Sequence, residues 1–172
     1  PRAHDLAILG DLAVVPCSDY GVQLIVVSVP EAAFVVGRIH LQGGYGSGVA
    51  ISGDLAFLAA RKSGVQVIDI SSPEAPVLVS STPTGSFSYD VAVSRGLAYV
   101  VDSPGELRIF DVSDPGAPVE CGSDGSITGA EGVEVAGERA YVIRDFGFDV
   151  YDVSACAGGD SRRPPRRLAD PR

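Results

Sequence analysis

Short apolar runs alternate with clusters of Gly, Pro, Asp and Ser along most of this chain. The clearest stretch begins at Val49–Ser52, a first apolar run, followed by the dipeptide Gly53-Asp54, which suits a two-residue hairpin turn. Leu55–Ala59 is a second run, and Lys62-Ser63-Gly64 turns the chain again. Val65–Ile70 alternates apolar and polar residues for much of its length, as a half-buried strand does. Ser72-Pro73-Glu74-Ala75-Pro76 is a proline-bounded loop, and Val77–Ser81 is a fourth run. Proline presets its backbone dihedral and has no N–H to give to a ladder, so this pair belongs in a loop beside an edge strand. The pattern predicts four strands joined by tight turns, an antiparallel meander. No segment sustains a 3.6-residue apolar period with helix caps, so almost no helix is expected.

The same pattern recurs. Asp5-Leu6-Ala7-Ile8, Gly48-Val49-Ala50-Ile51, Asp90-Val91-Ala92-Val93 and Gly132-Val133-Glu134-Val135 align at offsets of 43, 42 and 42 residues. A second anchor follows in each unit. It reads Val65-Gln66-Val67-Ile68-Asp69-Ile70-Ser71, then Leu107-Arg108-Ile109-Phe110-Asp111-Val112-Ser113, then Phe148-Asp149-Val150-Tyr151-Asp152-Val153-Ser154. In the first unit, Val22 to Ser28, Val26 stands where the others have Asp. The units run over about 4–46, 47–88, 89–130 and 131–154.

A four-stranded meander of this size cannot bury both of its faces. Sheets stacked face to face around an axis cover one another, which is the β-propeller solution. The Val- and Ile-rich runs fit sheets covered on both sides. A β-solenoid has shorter rungs, and a two-sheet sandwich does not predict a repeat. The fold class is therefore all-β, with four propeller blades. The fourth unit is expected to stop at Ser154 without its outer strand. An open arc would leave apolar sheet faces bare, so further blades are expected, from additional sequence or from a second copy.

The stretches GVAISGDLAFLAA with GVQVIDISSPEAPVLVSS, and DVAVSRGLAYVVD with LRIFDVSDPGAPVECGS, resemble the LVIVD repeat family. The resemblance covers roughly residues 4–154 and is closest in the second and third units. It implies propeller blades and an exported or cell-surface protein, mainly of bacteria and archaea. It supplies no shared catalytic residues.

Composition narrows the classes. The net charge is −9, although residues 155–172 carry five Arg and two Asp, or +3, leaving −12 on the rest. A body so acidic repels phosphate backbones, which argues against nucleic acid as a partner. No run of 18 apolar residues is present to span a membrane as a helix. The chain has no Met and is read as a piece of a longer product. Its three cysteines, Cys17, Cys121 and Cys156, show neither a zinc spacing nor a disulfide framework. Cys17 is expected in a loop and Cys121 in an outer strand. Residues 155–172, rich in Gly, Pro and Arg, hold one large apolar residue, Leu168, and are expected to be a disordered tail.

Candidate chemistry is sparse. Asp69, Asp111 and Asp152 recur at one register near a turn, where a carboxylate accepts backbone N–H groups; they are read as structural turn aspartates rather than metal ligands. If the first strand of each unit lines the channel, then His4, Asp5, Tyr89, Asp90 and Glu131 gather at its mouth and form the candidate binding site. Gly43-Gly44-Tyr45-Gly46-Ser47-Gly48 leads into a strand rather than a helix and is read as an inter-blade loop, not a phosphate cradle. No nucleophile elbow or His-based metal motif is present. Tyr20, Tyr45, Phe87, Tyr89, Phe146 and Phe148 fall in or beside loops, where aromatic residues serve binding. The expected role is a non-enzymatic module for protein interaction or scaffolding, with a protein or surface glycan as partner and no cofactor. The alternative is a propeller hydrolase or lyase with a metal or substrate at the channel mouth, which requires Asp5, Asp90 and Glu131 to converge.

Overall fold

A computed structural model describes residues 2–18, 21–41, 46–154 and 165–169. Among these residues, sixteen strands form four four-stranded antiparallel sheets, each from strands consecutive along the chain. The first contains β1 (Ala7–Leu9), β2 (Leu12–Cys17), β3 (Gly21–Val26) and β4 (Phe34–Ile39). The second contains β5 (Gly48–Ser52), β6 (Leu55–Ala59), β7 (Val65–Asp69) and β8 (Val77–Thr82). The third contains β9 (Phe87–Ser94), β10 (Leu97–Ser103), β11 (Glu106–Asp111) and β12 (Val119–Asp124). The fourth contains β13 (Ala130–Ala136), β14 (Arg139–Arg144), β15 (Gly147–Asp152) and β16 (Arg166–Ala169). Strand order follows chain order in every sheet, so each is a simple meander. Among the described residues the only helical element is a 3-10 turn at Pro30–Ala32.

The first hairpin of every sheet closes through two residues: Gly10-Asp11, Gly53-Asp54, Arg95-Gly96 and Gly137-Glu138. Gly10, Gly53 and Gly137 have φ of 57°, 57° and 64°, and Arg95 and Gly96 have 54° and 74°. These left-handed conformations match the right-handed twist of the flanking strands, and Gly adopts them without a Cβ penalty.

The sheets stack in chain order, and the inner strands β1, β5, β9 and β13 touch in sequence. Three apolar cores lie between them. Val14, Val22 and Leu24 of the first sheet meet Val49, Ala56, Leu58 and Ile68 of the second. The other face of the second sheet packs Phe57, Val65 and Val67 on Val91, Val100 and Phe110 of the third. The third then packs Tyr99, Val101, Leu107 and Ile109 on Val133, Ala140, Val142 and Tyr151 of the fourth. Among the described residues, no such core joins the fourth sheet to the first. The blades therefore form an arc with two open faces.

Three expectations need correction. The fourth unit does not stop after three strands, because Arg166–Ala169 pairs antiparallel with β15 as its outer strand. This segment comes from the stretch expected to be a tail. The edge of β15 offers unpaired backbone groups, and Asp149, buried in β15, accepts from Arg167 Nη2 at 2.5 Å and from Arg144 Nε at 3.2 Å. Backbone pairing and charge neutralisation together order a segment that has little apolar surface of its own. Cys17 ends strand β2 and is buried, rather than lying in a loop; burial pushes its thiol up from the ordinary value. Finally, β7 is buried on both faces rather than half-buried as its alternation suggests, and the same register of β15 is buried too. Gln66 is 2% exposed and Asp149 is 1% exposed, because both lie between sheets that cover them. Cys156, Tyr20, Tyr45 and the first half of the glycine-rich segment at 43–48 fall outside the described residues.

Candidate functional site

The inner strands bring the expected residues to one end of the arc. His4, Asp5, Tyr89, Asp90 and Glu131 all line a single cavity of about 340 Å³, together with Ser47 and Glu134. Asp5 and Asp90 are held in the same way. Asp5 Oδ1 accepts its neighbour's N–H, from Leu6, at 2.8 Å, and Oδ2 accepts the Val49 N–H of the next sheet at 2.9 Å. Asp90 Oδ1 accepts from Val91 at 2.9 Å, and Oδ2 accepts from Val133 of the next sheet at 2.9 Å. Each carboxylate therefore clips the start of one blade to the start of the following one. The bonds satisfy inner-strand amides that have no ladder partner at the channel.

Electrostatics agree with a structural duty. Burial pushes the Asp90 carboxyl above its ordinary value, the bonds from Val133 and Val91 pull it back, and the Asp5 and Glu134 carboxylates push it up again. Glu131 is exposed, and His4 Nε2 lies 3.2 Å from Ser18 Oγ. Among the described residues, no three His, Cys, Asp or Glu are grouped to hold a metal ion. Asp5, Asp90 and Glu131 thus share a cavity, but the two aspartates direct their oxygens at backbone amides.

The repeated aspartates lie on the outer part of the arc. Asp69, Asp111 and Asp152 each accept the backbone N–H two residues on, from Ser71, Ser113 and Ser154, at 2.8, 2.9 and 3.0 Å. Those serine bonds, from side chain and backbone, hold all three carboxyls below the ordinary value. They are closed local turns, each in its own blade.

The same end of the arc carries an aromatic rim. Tyr89 lines a second cavity of about 390 Å³ with Ser103, Pro104, Gly129, Ala130 and Glu131. Arg61 Cζ lies 5.9 Å from the centre of the Tyr89 ring, and Lys62 Nζ lies 5.4 Å from that of Phe87. Phe87 is 39% exposed, and Phe146, in the turn between β14 and β15, is 87% exposed. Phe148 is placed differently: it lies within β15, 6.5 Å ring to ring from Tyr141, on the open face of the fourth sheet.

Two charged clusters escaped sequence reasoning. Asp102, fully buried at the end of β10, lies 3.2 Å from Arg108 Nε, and Arg108 also pairs with Glu106 and Glu120. Asp149 takes the two arginines described above. The only signal was a single charge inside each otherwise apolar run, which says nothing of the partner. Both clusters sit within one sheet and tie its strands together.

Comparison with known proteins places this geometry. Residues 43–84 and 87–124 match the LVIVD repeat family. No curated protein matches the chain. Among solved structures, the computationally designed Ika8 protein superposes with a TM-score of 0.72 at 13% identity, over 88% of this chain and 46% of its own. The computationally designed Ika4 protein gives 0.71 at 12% identity, over 88% of this chain and 91% of its own. Sqt1 from Chaetomium thermophilum, in a structure bound to the N-terminus of the ribosomal protein L10, gives 0.68 at 14% identity, over 92% of this chain and 47% of its own. The chain thus spans about half the length of the Ika8 and Sqt1 chains.

Proposed function

We propose that this chain, whose central units are LVIVD repeats, serves an exported or cell-surface protein as a non-enzymatic propeller module that binds a protein or a surface glycan. The observation that carries this reading is the aromatic rim. Phe87, Tyr89 and Phe146 stand at the end of the arc where the loops gather, beside Arg61, Lys62 and a cavity of about 390 Å³. Aromatic side chains supply large, stiff contact area at little entropic cost, and they stack on sugar rings as readily as on peptide groups. Sqt1, of similar fold, holds a protein terminus, which supports the choice of a peptide-like partner. Two of the channel-mouth carboxylates, Asp5 and Asp90, are occupied with inter-blade amides, which favours binding over hydrolytic or lyase chemistry there.

The test is a screen of the purified chain on glycan and secreted-protein arrays, repeated with Phe146→Ser, Phe87→Ser and Tyr89→Ser. A ligand retained by the unaltered chain and weakened at least tenfold by one of these changes supports the reading. Ligand binding indifferent to all three substitutions refutes the rim as the site. Turnover of a hydrolase or lyase substrate that disappears in Asp5→Asn or Glu131→Gln would replace it with the enzymatic alternative.

A further inference from the structure

The open faces of the first and fourth sheets are not ordinary surfaces. The first unit aligns with the third at a constant offset of 85 residues. The face by which the third sheet packs on the second consists of Val91, Val93, Ala98, Val100, Phe110 and Val112. Its counterparts in the first unit are Leu6, Ile8, Ala13, Val15, Ile25 and Val27, every one apolar. Leu6 and Ile8 are 57% and 59% exposed. On the fourth sheet, Tyr141, Ile143, Phe148 and Val150 occupy the positions of Phe57, Ala59, Val65 and Val67, the centre of the face that the second sheet offers to the third. The two open faces thus carry the two halves of an interface already present once inside the chain.

The channel end of that interface has a steric key. The inner-strand anchors open alternately with Asp and Gly: Asp5, Gly48, Asp90, Gly132. Between the second and third sheets, a Cβ on Gly48 would stand 2.3 Å from Asp90 Oδ1 and 2.7 Å from Asp90 Cα. Backbone occupies that space, so the Gly is required for an Asp-starting blade to follow. Gly132 is the same residue at the same register, but a Cβ there would meet nothing nearer than Asp90 Oδ2 at 3.4 Å. Among the described residues no blade packs on that side of the fourth sheet, and a blade that continued the alternation would start with Asp, as the first blade does.

We infer that two copies of this chain close head to tail into an eight-bladed ring, the open face of the fourth sheet in each packing on the open face of the first sheet in the other, with Gly132 against the partner's Asp5. Eight blades lie within the range of closed propellers. The arc has the curvature of half a longer ring, since it superposes on just under half of the Ika8 and Sqt1 chains. It also superposes on nearly the whole of the Ika4 chain, so an arc of this size stands as a chain of its own there. A two-fold ring uses each open face once and leaves none bare, whereas a heterologous contact whose rotation does not close builds open-ended filaments. At the turn end, Glu134 and Arg139 replace Ala50 and Leu55 of the internal interface. That gives the junction a polar rim around its apolar centre, as separately folded partners have. The channel cavity, lined in one chain by His4, Asp5, Asp90 and Glu131, is completed by the same residues of the second copy.

The test uses the chain as given, by light scattering after size exclusion and by native mass spectrometry at micromolar concentration. The expected species has twice the 17.7 kDa chain mass. Gly132→Ala should keep the unfolding transition of the arc and abolish the dimer. Ile8→Asp and Ile143→Asp should each be monomeric and folded by circular dichroism, and their equimolar mixture should regain a heterodimer, because one junction is then intact. A monomeric parent chain overturns the inference and leaves further blades of a longer polypeptide as the occupant. Open-ended oligomers overturn the closed ring. A dimer that survives both Ile8→Asp and Gly132→Ala overturns this junction.

Discussion

The interface between the second and third sheets and the open face of the first sheet carry nearly the same residues and differ in what covers them. Phe110 is 2% exposed against Phe57 and Val65, while its counterpart Ile25 is only half-buried. Val93 packs against the core between these sheets, while its counterpart Ile8 is 59% exposed. Burial therefore follows position in the stack and not residue type. An apolar face on a propeller blade is a commitment to a neighbour, whether or not that neighbour belongs to the same stretch of chain.

The comparison can be broken by substitution, in a background kept monomeric by Ile143→Asp. Phe110→Ala should cost about 3–5 kcal/mol, because a fully packed aromatic leaves a cavity. Ile25→Ala should cost well under half of that, because solvent already reaches its face. Chemical denaturation measures both, and equal losses would mean that the first sheet is covered in the monomer too. Asp90→Ala should cost about 1–3 kcal/mol, since it leaves the Val133 N–H without its acceptor between two blades. Asp90→Asn should recover part of that loss through its carbonyl oxygen, which a catalytic carboxylate would not permit in an activity readout. Gly48→Ala should cost a similar amount, about 1–3 kcal/mol, through overpacking against Asp90, while Gly132→Ala should be close to neutral in the monomer. Comparable melting shifts for the two glycines would contradict the assigned geometry.

The smallest effect is in pH. Asp69, Asp111 and Asp152 are held below the ordinary carboxyl value, so their turn bonds stabilise the fold at neutral pH and are lost as pH falls through the depressed values. Asp90 is raised, so the folded state binds its proton more readily than the unfolded chain does. Its contribution has the opposite sign: it is largest at low pH and declines as pH rises through the raised value. Carboxyl titration by NMR should therefore separate Asp90, on the high side of about 3.9, from the three turn aspartates on the low side. Asp90 titrating with or below them would mean that its bonds from Val133 and Val91 outweigh its burial.

Much of the architecture was legible. The period of about 42 residues, the Gly-Asp hairpin dipeptide and the proline-bounded loop depend on local backbone preferences, which act within a few residues. Gathering His4, Asp5, Tyr89, Asp90 and Glu131 at one cavity was also legible, because a repeat places equivalent residues at equivalent heights around an axis. What Asp5 and Asp90 do there was not. Their partners, the Val49 and Val133 N–H groups, lie 44 and 43 residues away, and backbone amides leave no trace in a motif.

By itself, then, the sequence determined an all-β chain of four like units, the strands and turns within each, and the two apolar faces that each unit must cover. Only the tertiary structure decided that Arg166–Ala169 completes the fourth sheet, that Asp149 is buried against Arg144 and Arg167, and that the mouth aspartates clip blade to blade. The physical reason is one of range. Turn chemistry and apolar periodicity are set by neighbours along the chain, whereas a strand without apolar content and a carboxylate without a motif acquire their roles from groups that only packing brings near.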